Sequence, residues 1–249
     1  KPMSLPLLEK TIPKELRDDA GYWYGLTLRA RPIIYAKDRV KPADLSTYEA
    51  LAEAQWNGRL CLRSSQSVYN QSLVAATIDA LGAKATQNWM EGMVKNLVKA
   101  PSGGDTDQLK AVAAGVCDVT ITNTYYLARL INSSKNADQS VANKLAVFWP
   151  NQSGSGALGR GAHFNVSGAG FTKYGKNPKQ AQALLEYLAS EPAQVWYAEI
   201  NNEYPVVKDV EISLALKGFG DYKMDPIDLE ILGQNNRQAV QLMDRAGWK

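Results

Sequence analysis

Arg59-Leu60-Cys61-Leu62-Arg63-Ser64-Ser65-Gln66-Ser67 changes character halfway along its length. Its first half is a short apolar run of the kind that makes a buried strand, and its second is a polar turn that cannot extend one. The residues beyond it, Val68, Leu73, Val74, Ile78 and Leu81, recur at helical spacing and stop at Gly82. This is strand, tight turn, helix. The pattern returns downstream, where strand-like residues 118–122 give way to Asn123-Thr124-Tyr125-Tyr126 and a helix through Leu127 and Leu130. Between the two, residues 85–98 read as a helix followed by the breaker Pro101-Ser102-Gly103-Gly104. Asp105 or Thr106 then caps another helix through Leu109, Val112 and Ala113. Strands alternating with helices over residues 40–145 predict an α/β unit on a mostly parallel sheet.

Outward from this region the chain becomes more extended. Residues 21–35 alternate aromatic and aliphatic side chains (Tyr22, Tyr24, Leu26, Leu28, then Ile33, Ile34, Tyr35) and read as strand broken at Pro32. Ser46 or Thr47 starts a predicted helix through Tyr48, Leu51 and Ala54 to Trp56, ended by Asn57-Gly58. Residues 145–149 and 162–171 read as strands on either side of the Gly-rich stretch 154–161. Further helices are predicted over 178–189, after an Asn177 cap, and over 192–200. The last is amphipathic, over 226–245, with Leu229, Leu232, Val240 and Met243 on its apolar side. An α/β region flanked by extended segments predicts two α/β lobes joined by two crossing strands. Residues 1–36 and 150–249 would form the first lobe and residues 37–149 the second, with hinges near 31–36 and 147–154.

The composition removes several functions. The chain has 249 residues, 45% hydrophobic and 21% charged, so it can bury a core without needing a metal or disulfide to hold it. Its net charge of +3 comes from 28 basic and 25 acidic residues scattered along the chain, which argues against a nucleic-acid partner. No apolar run reaches the ~20 residues of a membrane span, so direct membrane insertion is not expected. Cys61 and Cys117 fit neither a CxxC motif nor a zinc site; they are either two small buried hydrophobes or one disulfide. The one histidine, His163, excludes most zinc enzymes and any His-dependent triad, and its expected role is structural. With no GxSxG elbow and no paired carboxylates at a strand end, an enzyme is not expected. No DNA-binding helix pair supports a transcription regulator. Lys1-Pro2-Met3-Ser4 carries neither an initiator methionine nor a signal peptide, which suggests a removed signal or a longer N-terminal portion.

Twelve tyrosines against one histidine is an unusual supply of ligands. In an α/β sheet, ligands sit beyond the carboxyl ends of strands, where helix N-termini point their N–H groups. Tyr69 lies in the first turn after one such junction and Tyr125 and Tyr126 in the first turn after another. Three phenols can therefore converge with Arg63 on one edge of the sheet. Phenolate is a hard anionic oxygen suited to a hard cation. A trivalent ion can offset the deprotonation of a group with a pKa near ~10, and three phenolates cancel its charge. Ferric iron is the obvious biological candidate. Arg63 and the Ser64–Ser67 turn suit a small anion such as carbonate or phosphate. The plainer alternative is that the tyrosines are half-buried packing and Arg63 caps a helix.

These same residues carry a resemblance. Gly58-Arg59-Leu60-Cys61-Leu62-Arg63-Ser64-Ser65, Tyr69-Asn70-Gln71-Ser72-Leu73 and Asn123-Thr124-Tyr125-Tyr126-Leu127-Ala128 resemble motifs of periplasmic ferric-iron-binding proteins, especially the cyanobacterial branch. Arg160-Gly161-Ala162-His163 through Ser167-Gly168-Ala169-Gly170, and Asn202-Glu203-Tyr204-Pro205-Val206, look like two further signatures, in order from about Leu8 onward. The resemblance implies a type II periplasmic-binding-protein fold, closing around Fe³⁺ by hinge motion and delivering it to the membrane subunits of an ABC permease. It implies an exported, periplasmic protein, expected to be monomeric. Tyr125 and Tyr126 carry over as paired iron ligands and Tyr69 as the third. Arg63, Ser64, Ser65 and, for the same shell, Asn123 carry over as neighbours of a synergistic anion or of the tyrosinates. The family's opening strand, whose His or Tyr completes the iron shell, has no counterpart here, and His163 does not replace it. The rival within the same fold is a protein for a small anion held by Arg63 and the Ser64–Ser67 turn.

Overall fold

The computed structural model describes residues 1–249. Its strands in chain order are β1 (Tyr24–Ala30), β2 (Ile33–Ala36), β3 (Leu60–Cys61), β4 (Val119–Ile121), β5 (Leu145–Phe148), β6 (Phe164–Ala169) and β7 (Tyr204–Pro205). Its helices are α1 (Pro6–Thr11), α2 (Val68–Leu81), α3 (Ala83–Lys95), α4 (Asp105–Ala113), α5 (Thr124–Ile131), α6 (Asn136–Asn143), α7 (Pro178–Leu188), α8 (Glu191–Trp196), α9 (Leu214–Lys217) and α10 (Leu229–Arg245). The chain divides into two units, Lys1–Arg29 with Asn165–Gly218, and Ala30–Phe164 with Phe219–Lys249.

The first unit is built on the sheet β6-β1-β7, with β1 and β7 antiparallel and Thr27 opposite Pro205. Gln194 on α8 ties helix to sheet: its amide donates to the Leu26 and Leu188 carbonyls, both at 2.9 Å, and accepts from the Val206 N–H at 3.0 Å. Asn202, which opens the Asn202–Val206 stretch, takes the left-handed conformation (φ 56°) that asparagine tolerates better than most residues. Beyond it, Glu203 accepts a hydrogen bond from the Thr27 hydroxyl.

The second unit holds the sheet β3-β4-β2-β5. Ile33-Ile34-Tyr35-Ala36 shows why it is buried on both faces. Side chains alternate along a strand, so Ile33 and Tyr35 enter one cluster with Trp56, Trp89, Met90 and Trp248. Ile34 and Ala36 enter another with Cys61, Leu109, Val112, Leu127 and Leu130. Helices therefore cover both faces, and the strand is apolar throughout instead of alternating with polar residues.

Three features differ from the sequence reading. The sheet is mixed: β3 and β4 are parallel, but β2 runs antiparallel to both β4 and β5. The parallel pair is the one joined by intervening helices; β2 enters as a continuation of the chain leaving the other unit and returns no such crossover. Residues 46–56 form the 3₁₀ turns Glu49–Ala52 and Ala54–Trp56 in place of a helix. The Leu51 and Glu53 carbonyls are taken by the Asn96 amide at 2.9 and 2.8 Å, and Glu53 is extended. The amphipathic C-terminal helix α10, placed in the first lobe by the sequence reading, belongs to the second unit. Its Ala239, Leu242 and Met243 join the cluster of α2, and Asn235 donates to the Ala75 carbonyl at 3.2 Å. The chain consequently passes between the units at 29–30, 164–165 and 218–219, three places where two were expected.

Cys61 and Cys117 form a disulfide, which resolves the pair left open by sequence. Gly161 is required by a close approach. Its φ is 105°, and a Cβ there would stand 2.6 Å from the Met224 carbonyl.

Candidate functional site

Arg63 follows β3, and Asn123 follows β4, so both lie past the carboxyl ends of the two parallel strands. Tyr69 is the second residue of α2, and Tyr125 and Tyr126 are the second and third of α5. The structure brings the three tyrosines together. The Tyr125 hydroxyl donates to the Tyr69 hydroxyl at 3.2 Å, and the Tyr125 and Tyr126 rings lie 4.2 Å apart between centroids. Tyr125 is buried, while Tyr69 and Tyr126 are half-buried. All three belong to the second unit.

Cations surround the phenols. The Arg63 guanidinium carbon stands 5.4 Å from the Tyr69 ring centroid, Arg31 5.8 Å from it, and Arg129 4.9 Å from the Tyr125 ring. Burial works against the charge on Arg63, but Asp105 and a hydrogen bond to Tyr126 outweigh it and raise its pKa. The Tyr125 phenol is pushed well above its ordinary value, first by burial and then by its hydrogen bonds with Tyr126 and Tyr69. In the absence of a cation, its proton is firmly held.

The turn before α2 is already engaged. The Ser65 N–H donates to the Lys249 carbonyl at 3.3 Å, and the Asn70 amide donates to the Arg63 and Ser64 carbonyls at 3.0 and 3.1 Å. Trp248 Nε1 donates to the same Arg63 carbonyl at 3.0 Å, so the C-terminus fastens this loop. The buried hydroxyls of Ser67 and Thr124, at the starts of α2 and α5, make no hydrogen bond. His163 lies elsewhere: it is buried, its Nε2 is 2.8 Å from Ser72 Oγ, and its backbone N–H donates to the Tyr48 hydroxyl at 3.0 Å.

Two residues that sequence reasoning gave no part in the site hold its floor. Arg31 is fully buried and its Nη1 donates to Asp105 Oδ2 at 3.1 Å and to Asn123 Oδ1 at 3.0 Å. Asp105, also fully buried, accepts from Arg63 at 3.1 Å and from the Asn123 N–H at 2.9 Å. In the sequence Asp105 is one of two candidate caps, with Thr106, and only the tertiary fold shows what its carboxylate faces.

No group of three or more His, Cys, Asp or Glu side chains is placed to hold a metal ion, so a metal bound here would depend on other oxygens. A cavity of about 440 Å³ at the opposite end of the sheet is lined by Lys37, Arg39 and Lys144. Those cations already donate to the carbonyls of Asn143, Val112 and Ala113.

Residues 8–226 match the family described as bacterial extracellular solute-binding protein. The chain belongs to that family. Among its relatives, this solute-binding protein is 47% identical to iron uptake protein A2 of Synechocystis, over all of its own length and 71% of the relative's. The structure is similar to that of a Trichodesmium protein in complex with iron and citrate, with a TM-score of 0.95 and 46% identity. That match covers all of this chain and 77% of the other. A ferric binding protein from Campylobacter jejuni matches with a TM-score of 0.94 and 36% identity, over all of this chain and 78% of that one. The fold is accordingly the type II periplasmic-binding-protein fold, and the relatives are solute-binding transport proteins, not enzymes.

Proposed function

We propose that this protein binds ferric iron through Tyr69, Tyr125 and Tyr126 outside the cytoplasm and delivers it to an ABC permease. The observation that carries the reading is the meeting of the Tyr125 and Tyr69 hydroxyls at 3.2 Å, with the Tyr126 ring tilted against Tyr125 at 4.2 Å. Three phenols gathered beside three guanidinium groups form a poor place for ordinary packing and a good one for phenolates. A trivalent ion would take the place of the protons, which pass to solvent, and the negative charge left on the phenolates would be neutralised by the ion itself. The names of the relatives support iron as the solute. The buried disulfide supports an oxidising compartment such as the periplasm.

The test is colour. Loading with a ferric chelate and removing free iron should leave a visible phenolate-to-iron charge-transfer band, lost in Tyr125→Phe/Tyr126→Phe. A colourless wild-type protein would sink the assignment. The rival reading, an anion on Arg63 and the Ser64–Ser67 turn, draws on the two unpartnered hydroxyls of Ser67 and Thr124. It meets the difficulty that Arg63 is already held by Asp105 and that the Ser65 N–H is committed. Carbonate or phosphate binding that persists in the double Phe variant while iron binding vanishes would establish the anion site as separate. A co-bound anion alongside iron would use the same hydroxyls.

A further inference from the structure

Asp105 is fully buried, and both of its carboxylate oxygens are engaged by the scaffold of the tyrosine cluster. Its Oδ1 holds Arg63, on the loop that leads into Tyr69. Its Oδ2 holds the backbone N–H of Asn123, the residue before the helix that bears Tyr125 and Tyr126. The same oxygen holds Arg31, which reaches on to the Asn123 side chain, the Ile121 carbonyl and Asn70. Asn70 closes the circuit by donating to the Arg63 and Ser64 carbonyls. One carboxylate thus joins the two loops whose tyrosines meet, and it sits between two guanidiniums that approach the Tyr69 ring.

We propose that Asp105 is a positioning residue for the tyrosine cluster, clamping the Arg63 loop to the start of α5 and offsetting the cations behind the phenols. The proposal rests on the iron reading above. A helix-capping aspartate would face the N–H groups of its own helix. Here the capping contact at the start of α4 is made by Asp107, whose carboxylate accepts from the N–H of Gly104, the residue preceding the helix, at 2.7 Å. Asp105 is therefore free of local duty and turned inward. Without its charge, Arg31 and Arg63 would stand uncompensated beside the site a trivalent cation must enter, and the two loops would lose their shared acceptor. A buried ion pair is by itself weak support for stability, so stability alone cannot distinguish this role from simple packing.

The experiment compares wild type, Asp105→Asn, Arg63→Gln and the double variant by ferric affinity, by competition with a chelator, and by the position of the charge-transfer band. Asp105→Asn should weaken iron roughly 10- to 100-fold, the usual effect of removing a group that orients ligands, and should shift the band. The double variant should be little worse than the poorer single one, because both cut the same clamp. A folded Asp105→Asn protein with wild-type affinity and an unmoved band overturns the proposal while leaving the iron reading intact. A colourless wild type overturns both. Should Asp105→Asn fail to fold, the half-buried Arg63→Gln decides, and an unchanged affinity and band in that variant overturns the clamp.

Discussion

At the scale of single residues, each phenol that binds a cation as phenolate must give up a proton. Tyr125 holds its proton firmly, through burial and hydrogen bonds with its two neighbours. Iron uptake at neutral pH should therefore release about one proton per phenol engaged, and affinity should fall as pH falls. Titrating the same ferric chelate into wild type and Tyr125→Phe, in two buffers of different ionisation heat, measures the difference. Tyr125→Phe should release about one proton fewer. An equal release from both proteins would mean that Tyr125 is not a phenolate ligand. The tyrosines could be found in the sequence because each follows a strand at the start of a helix. Asp105 and Arg31 could not: an aspartate opening a helix reads as a cap, and a lone arginine between two strand segments reads as a connector. Their meaning depends on side chains 74 residues apart that only the folded sheet brings within 3.1 Å.

At the scale of elements, the parallel pair β3 and β4 carries both loops of the cluster, and the disulfide from Cys61 to Cys117 fastens the end of β3 to the segment entering β4. It closes a span of 56 residues and is almost wholly buried. Replacing both cysteines with alanine should cost about 2–4 kcal/mol, seen as a lower urea midpoint with a steeper slope, because the unfolded chain without its cross-link exposes more surface. Iron affinity should fall with it, because the strands that aim the two loops lose their tie. On the other side of the loop, Trp248 is fully buried and donates to the Arg63 carbonyl. Trp248→Ala should cost about 3–5 kcal/mol by thermal or urea unfolding, since it removes a core aromatic and one of the two donors to that carbonyl. The strand–turn–helix repeats were legible because period, turn residues and length all agreed. The 3₁₀ turns at 49–56 were not, because the apolar spacing of Tyr48, Leu51 and Trp56 suits either helix type. What breaks the helix is Asn96, an acceptor-hungry amide 45 residues from Leu51.

At the scale of the whole molecule, two buried titratable groups of the second unit pull stability in opposite directions with pH. His163 is depressed to about 3 by burial, helped by Arg31 and Arg160. The unfolded chain binds a proton near the ordinary value of 6.5 and the folded one does not, so this group makes stability fall as pH drops from about 6.5 to about 3. Asp225 is raised to about 6, chiefly by burial and against the pull of Arg160, 3.2 Å away. Here the folded chain binds the proton first, so stability gains as pH drops from about 6 to 3.8. Each slope is at most about 1.4 kcal/mol per pH unit, and over the shared window they nearly cancel. Wild type should therefore hold its stability down to about pH 4 as far as these two groups govern it, and lose it below. Asp225→Asn removes the opposing slope, so its stability, referred to its own value at pH 7, should decline already from about pH 6. His163→Gln should do the reverse and flatten the loss below pH 4. Urea midpoints of the three proteins between pH 3.5 and 7 separate these outcomes, and parallel curves would mean that neither side chain carries the shift its burial implies.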